Sequence, residues 1–138
     1  MKKSHHRLEA WQQALALVKK IYTQTSSFPK TELYGLTSQM RRAAVSIPSN
    51  IAEGAARETT PEFLRFLYIA RGSLAELETQ ILISRDLGYI SDPNSVLESL
   101  EHVSGLLNGL IRSLKSRSSR VNEDLPAYDA IPGHTSNV

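Results

Sequence analysis

Two arginines, Arg41 and Arg42, open the segment RRAAVSIPSNIAEG at residues 41–54. Each carries a permanent charge on a planar fork of donors, so their natural partners are carboxylates and phosphates. Along the same segment Arg42, Ser46, Asn50, Glu53 and Arg57 recur at steps of four, four, three and four, which places them on one face of a helix. Glu53 and Arg57 are spaced to pair across a turn. The plain alternative is a solvated face with one helix-supporting ion pair. Against it, Ala43, Ala44, Ala52, Gly54, Ala55 and Ala56 make the segment small-sided, so another helix or subunit is expected to pack closely over it. A second strip, Ile69, Ser73, Glu76, Gln80 and Ile83, follows with Gly72 beside it. Glycine inside a helix costs about 1 kcal/mol relative to alanine, which predicts close packing at Gly72. Glu76 is placed to meet Arg41 or Arg42 across the fold, in a structural role.

Other chemistries find no matching residues. Helical di-metal sites require repeated Glu-x-x-His motifs facing inward, whereas Glu98, Glu101 and His102 supply no such pair. His5-His6 is a weak metal signal on a terminus. Glu76 and Glu78, two apart, fall on different helix faces and cannot act together by spacing alone. Neither a phosphate-cradling glycine loop nor a nucleophile elbow is present. The expectation is a non-enzymatic protein with no catalytic residue, no metal and no cofactor.

The basic residues are unevenly placed. Residues 1–45 hold eight Lys or Arg against two acids, residues 46–111 hold four against nine, residues 112–120 hold four and no acid, and residues 121–138 hold three acids and no base. If the ends of the chain meet in space, this segregation builds a basic surface from a net charge of only +2. Lysines that are simply solvated would give the same count. With 138 residues the chain is one domain with room for a core, and with no cysteine it has neither disulfides nor thiolate sites. No apolar run is long enough to cross a bilayer and no signal-peptide block follows Met1, so the expected location is cytoplasmic with no membrane contact.

Four periodic segments position these residues. Leu8, Trp11, Ala14, Leu15, Val18, Ile21 and Tyr22 predict a helix over about 8–26, ended by Phe28-Pro29. Leu33, Leu36, Met40, Ala43 or Ala44, Ile47 and Ile51 predict a second that runs through Pro48 without losing phase. A kink is expected there, because proline lacks the N–H that would reach the Ala44 carbonyl. Ser46 and Ser49 are placed to satisfy freed backbone groups. Thr59-Thr60-Pro61-Glu62 reads as the start of a third helix, with Phe63, Leu67, Ala70, Leu74, Leu77 and Ile81 as its stripe and Gly88 as its left-handed cap. Ser91-Asp92-Pro93 starts a fourth, carrying Leu97, Leu100, Val103, Leu107, Leu110 or Ile111, and Leu114. The fold expected is all-α, an antiparallel up-down-up-down four-helix bundle over residues 8–115. Residues 1–7 are expected to be flexible, and residues 116–138 a disordered or loosely held tail.

Several stretches together resemble a known family: LEAWQ at 8–12, FPK at 28–30, ELYGLTSQMRR at 32–42, SIPSNIAEG at 46–54 and GSLAELETQ at 72–80. They resemble the four-helix-bundle proteins encoded in intervening sequences of 23S rRNA genes, over about residues 8–115. The resemblance implies a ring-like homopentamer. It extends in fold to the accessory protein of diversity-generating retroelements, a basic pentamer that binds nucleic acid and a reverse transcriptase. By that analogy a partner protein such as a reverse transcriptase joins the expectations. Arg41, Arg42, Asn50 and Glu53 belong to the family motif.

Two functions follow as expectations. In the first, Lys19, Lys20, Arg41 and Arg42, with Arg112, Lys115 and Arg117, repeat around an oligomer and hold RNA or DNA by its phosphates, without base reading. Lys19 and Lys20 are expected to be the free pair, and Arg42 the residue held in an ion pair on the polar strip. In the second, the acidic middle helices and the small-residue strip dock a partner protein, beside the family-motif polar strip of Ser46, Asn50, Glu53, Arg57 and Glu76.

Overall fold

The computed structural model describes residue 5, the backbone of residues 8–123 and side chains through residue 119. Among them there are four α-helices and no strand: α1 (Glu9–Thr25), α2 (Leu36–Ala55), α3 (Thr60–Asp86) and α4 (Pro93–Glu123), with a short 3-10 turn at Lys30–Glu32. Each helix packs against its two neighbours, α1 on α2 and α4, α3 on α2 and α4, and the backbones of the diagonal pairs stay apart. The result is the antiparallel four-sided bundle that short connections between long amphipathic helices favour.

Local chemistry sets the boundaries. Thr59 caps α3, its Oγ1 accepting from the Glu62 N–H at 3.3 Å, with Pro61 in the first turn where a missing N–H costs nothing. Gly88 ends the same helix at φ +74°, the left-handed region that glycine enters freely. Asp92 Oδ1 accepts from the Ser95 N–H at 3.2 Å at the start of α4. α2 is continuous through Pro48, and Ile47, Pro48 and Ile51 are all buried, as the unbroken apolar phase predicts.

The core joins all four helices through Leu17, Ile21, Met40, Ile47, Ile51, Leu67, Leu77, Ile81, Val96 and Leu107. Three expectations change. In α1 the buried stripe is Ala10, Ala14, Leu17 and Ile21, whereas Leu15 and Tyr22 are about two-fifths exposed. The apolar residues of α1 cover a wider arc than its two neighbours can bury. Leu33 precedes α2 in a turn and is 48% exposed, outside the core. Finally, α4 runs to Glu123, so residues 116–123 are helical rather than the start of a tail. No Pro or Gly interrupts them, and an established helix gains one hydrogen bond for each residue added. The expectations for residues 1–4, 6, 7 and 124–138 lie outside the described residues.

Candidate nucleic-acid interface

The two polar strips meet. Ser46 on α2 and Ser73 on α3 share a hydrogen bond of 2.8 Å between their hydroxyls. Asn50 Nδ2 donates to the Ser46 carbonyl at 2.7 Å and to its hydroxyl at 3.0 Å, while Ser73 Oγ donates to the Ile69 carbonyl at 3.3 Å. Below this network Gly54 lies against α3. A Cβ there would come within 2.8 Å of Phe66 Cβ and 3.0 Å of Phe63 Cδ1. Close packing therefore falls at Gly54 and not at Gly72, which is exposed with open space around it. Glu53 and Arg57 pair at 3.3 Å as their spacing predicts, but both are exposed, so the pair contributes little.

Glu76 accepts from Gln80 Nε2 at 3.2 Å. Neither Arg41 nor Arg42 forms an ion pair with it, although Arg42, Ser46, Ser73 and Glu76 line one shallow cleft. Arg41 turns the other way. Its Nε donates to Thr25 Oγ1 at 2.9 Å and its guanidinium stacks 4.5 Å from the centre of the Tyr22 ring. The expectation is thus reversed: Arg41 is the anchored arginine, and Arg42 is exposed without hydrogen bond or ion pair. Sequence spacing identifies a helix face but not which neighbouring helix that face meets.

The lysine pair divides as well. Lys20 Nζ donates to Ser99 Oγ at 2.7 Å and Ser95 Oγ at 3.0 Å, bridging α1 to α4, while Lys19 is exposed. Arg112, Lys115 and Arg117 are exposed on the far part of α4, with the Lys115 ammonium 5.5 Å from the Tyr68 ring and Arg71 4.9 Å from the same ring. Because α4 runs opposite to α1, these three stand toward the end of the bundle where α1 begins. Arg41 and Arg42 stand toward the opposite end. The fold therefore spreads the seven predicted cations over both ends of the bundle, with Lys20 on the α1/α4 side and Arg41 and Arg42 on the groove side, rather than in one patch.

What these seven share is the lack of a carboxylate partner. The three ion pairs among the described residues are Arg57–Glu53, Arg65–Glu62 and Arg85–Asp86, all within acid-rich residues 46–111. There the charges neutralise one another: Arg65, donating to Glu62, holds that exposed carboxyl below the ordinary carboxylate range. No three His, Asp or Glu side chains among the described residues are grouped to hold a metal, and His5 instead sets its ring edge-on to Trp11 at 5.0 Å. None of the described helices is long and apolar enough to cross a membrane.

A groove of about 620 Å³ opens between α1 and α2 beside Arg41 and Arg42, lined also by Tyr22, Leu33, Tyr34, Ser38 and Val45. Tyr22 was expected in the core stripe, and Tyr34 falls in no apolar period. The sequence signal for Tyr34 is its position, an aromatic beside Gly35 between two helices.

The described residues form an all-helical bundle in which seven surface cations make no ion pair. The chain matches the family described as 23S rRNA-intervening sequence protein over residues 6–109, and it belongs to that family. No curated protein matches the chain.

Proposed function

We propose that this bundle is a non-enzymatic, self-associating protein that binds RNA or DNA through its phosphates. The observation that carries the reading is that none of Lys19, Lys20, Arg41, Arg42, Arg112, Lys115 and Arg117 is neutralised by a carboxylate, while three other arginines of the described residues are. Unneutralised surface cations attract a phosphate backbone and release its counterions on binding. Repetition around an oligomer, five subunits being the number the family resemblance implies, multiplies these scattered cations into a wide basic surface.

Fluorescence anisotropy with unrelated RNA and DNA sequences at about 50 mM salt tests it, since phosphate contacts are strong there and weaken steeply as salt rises. Arg42→Ala is expected to lower affinity by a similar factor for every sequence and to flatten the salt slope. Lack of binding to any nucleic acid under these conditions overturns the reading. Sedimentation at micromolar concentration tests self-association, and a species of 15.3 kDa argues against it.

A protein-docking role is the second reading, favoured by the exposed apolar edge of Leu15, Tyr22, Leu33 and Val45 on the α1/α2 side. Binding through that edge would change little with salt, which separates the two.

A further inference from the structure

Phosphate contacts alone do not explain the composition of the α1/α2 groove. Tyr34 is 94% exposed and lines it from the turn before α2. A phenol ring held out in water gains no burial energy from the fold. An aromatic face beside two unneutralised arginines is the combination that holds unpaired nucleotides, whose bases stack on the ring while their phosphates meet the cations. We propose that this groove takes a single-stranded stretch of nucleic acid, with a base on the Tyr34 ring and its flanking phosphates on Arg41 and Arg42.

This rests on the nucleic-acid reading above and narrows it. Arg41 is prepared for the role. Its Nε is tied to Thr25 Oγ1 and its plane to the Tyr22 ring, while its two terminal nitrogens make no hydrogen bond among the described residues. Such an arginine loses little side-chain freedom on meeting a phosphate. Arg42, one residue on, is exposed and lines the same groove, as does Ser38, whose hydroxyl suits a sugar or phosphate oxygen. A duplex keeps its bases stacked on one another, so it offers phosphates to Arg42 but no face to Tyr34. An acidic peptide would satisfy the arginines and leave the open ring unused, because an aliphatic side chain needs enclosure where a flat base needs only a face. Stacking accepts every base, in keeping with a sequence that contains no base-reading motif.

The test uses the full chain, a labelled oligothymidylate and a duplex of the same length. Wild type is expected to prefer the single strand. Tyr34→Ala is expected to weaken single-strand binding roughly tenfold and leave the duplex unchanged, with Tyr34→Phe restoring the wild-type value. Since the Tyr34 side chain is almost wholly in solvent, its loss does not threaten folding, and circular dichroism checks this. Equal binding of both probes with no effect of Tyr34→Ala overturns the inference and leaves phosphate binding standing. Failure to bind either probe overturns both. Tighter retention of oligoglutamate than of oligothymidylate, sensitive to Arg42→Ala but not to Tyr34→Ala, overturns it in favour of an acidic peptide.

Discussion

Between Ser46 and Ala55, α2 is fastened to α3 by a shared hydroxyl pair, an asparagine that reaches back one turn and a glycine pressed under two phenylalanines. Between Leu36 and Val45 the same helix turns Arg42, Ser38 and Val45 to an open groove. Both halves have comparable apolar periodicity, and both bury their isoleucine or methionine anchors, Met40 in one and Ile47 and Ile51 in the other. The difference lies in what flanks the anchors. Small side chains let α3 approach and complete the polar groups in the first half, whereas in the second Arg42 and Val45 stand exposed beside the groove. One helix thus serves as a structural seam along one half and as an available surface along the other.

The sharpest way to break the comparison is Gly54→Val. The added atoms would overlap Phe63 and Phe66, and the nearest contact is a Cβ fixed to the α3 backbone, so stability is expected to fall by on the order of 3 kcal/mol in urea denaturation. Ser73→Ala is the next test of the seam. It removes the hydroxyl pair with Ser46 and is expected to cost about 1 kcal/mol, since Ser46 keeps its bond from Asn50. Gly72→Ala probes the exposed face of α3 and has the opposite sign. With open space at that position, the gain in helix propensity is expected to stabilise by up to about 1 kcal/mol. Loss of stability there would mean that a partner or second copy already packs against it. Arg42→Ala, on the open half, is expected to leave stability within about 0.5 kcal/mol while lowering affinity for nucleic acid.

The structure also changes which variants test binding cleanly. Lys19→Ala with Lys20→Ala would mix two effects, because Lys20 holds Ser95 and Ser99 at the α1/α4 seam. Lys19 and Arg42 are exposed and make no such bonds, so they report on ligand contacts alone.

Periodicity and capping by themselves determined four helices, their order, the caps at Thr59 and Gly88, and the continuity of α2 through Pro48. Each depends on residues within a turn or two of one another, whose chemistry is legible in the chain. Spacing also placed Glu53 with Arg57, a contact made inside one helix. Only the tertiary structure decided that Arg41 stacks on Tyr22 while Arg42 stays free of partners, that Lys20 joins α4, and that Gly54 rather than Gly72 is the tight contact. Those outcomes depend on how each helix is rotated about its axis against two neighbours. With apolar arcs wider than the burial available, as in α1, several rotations satisfy the same pattern, and packing between distant residues selects one.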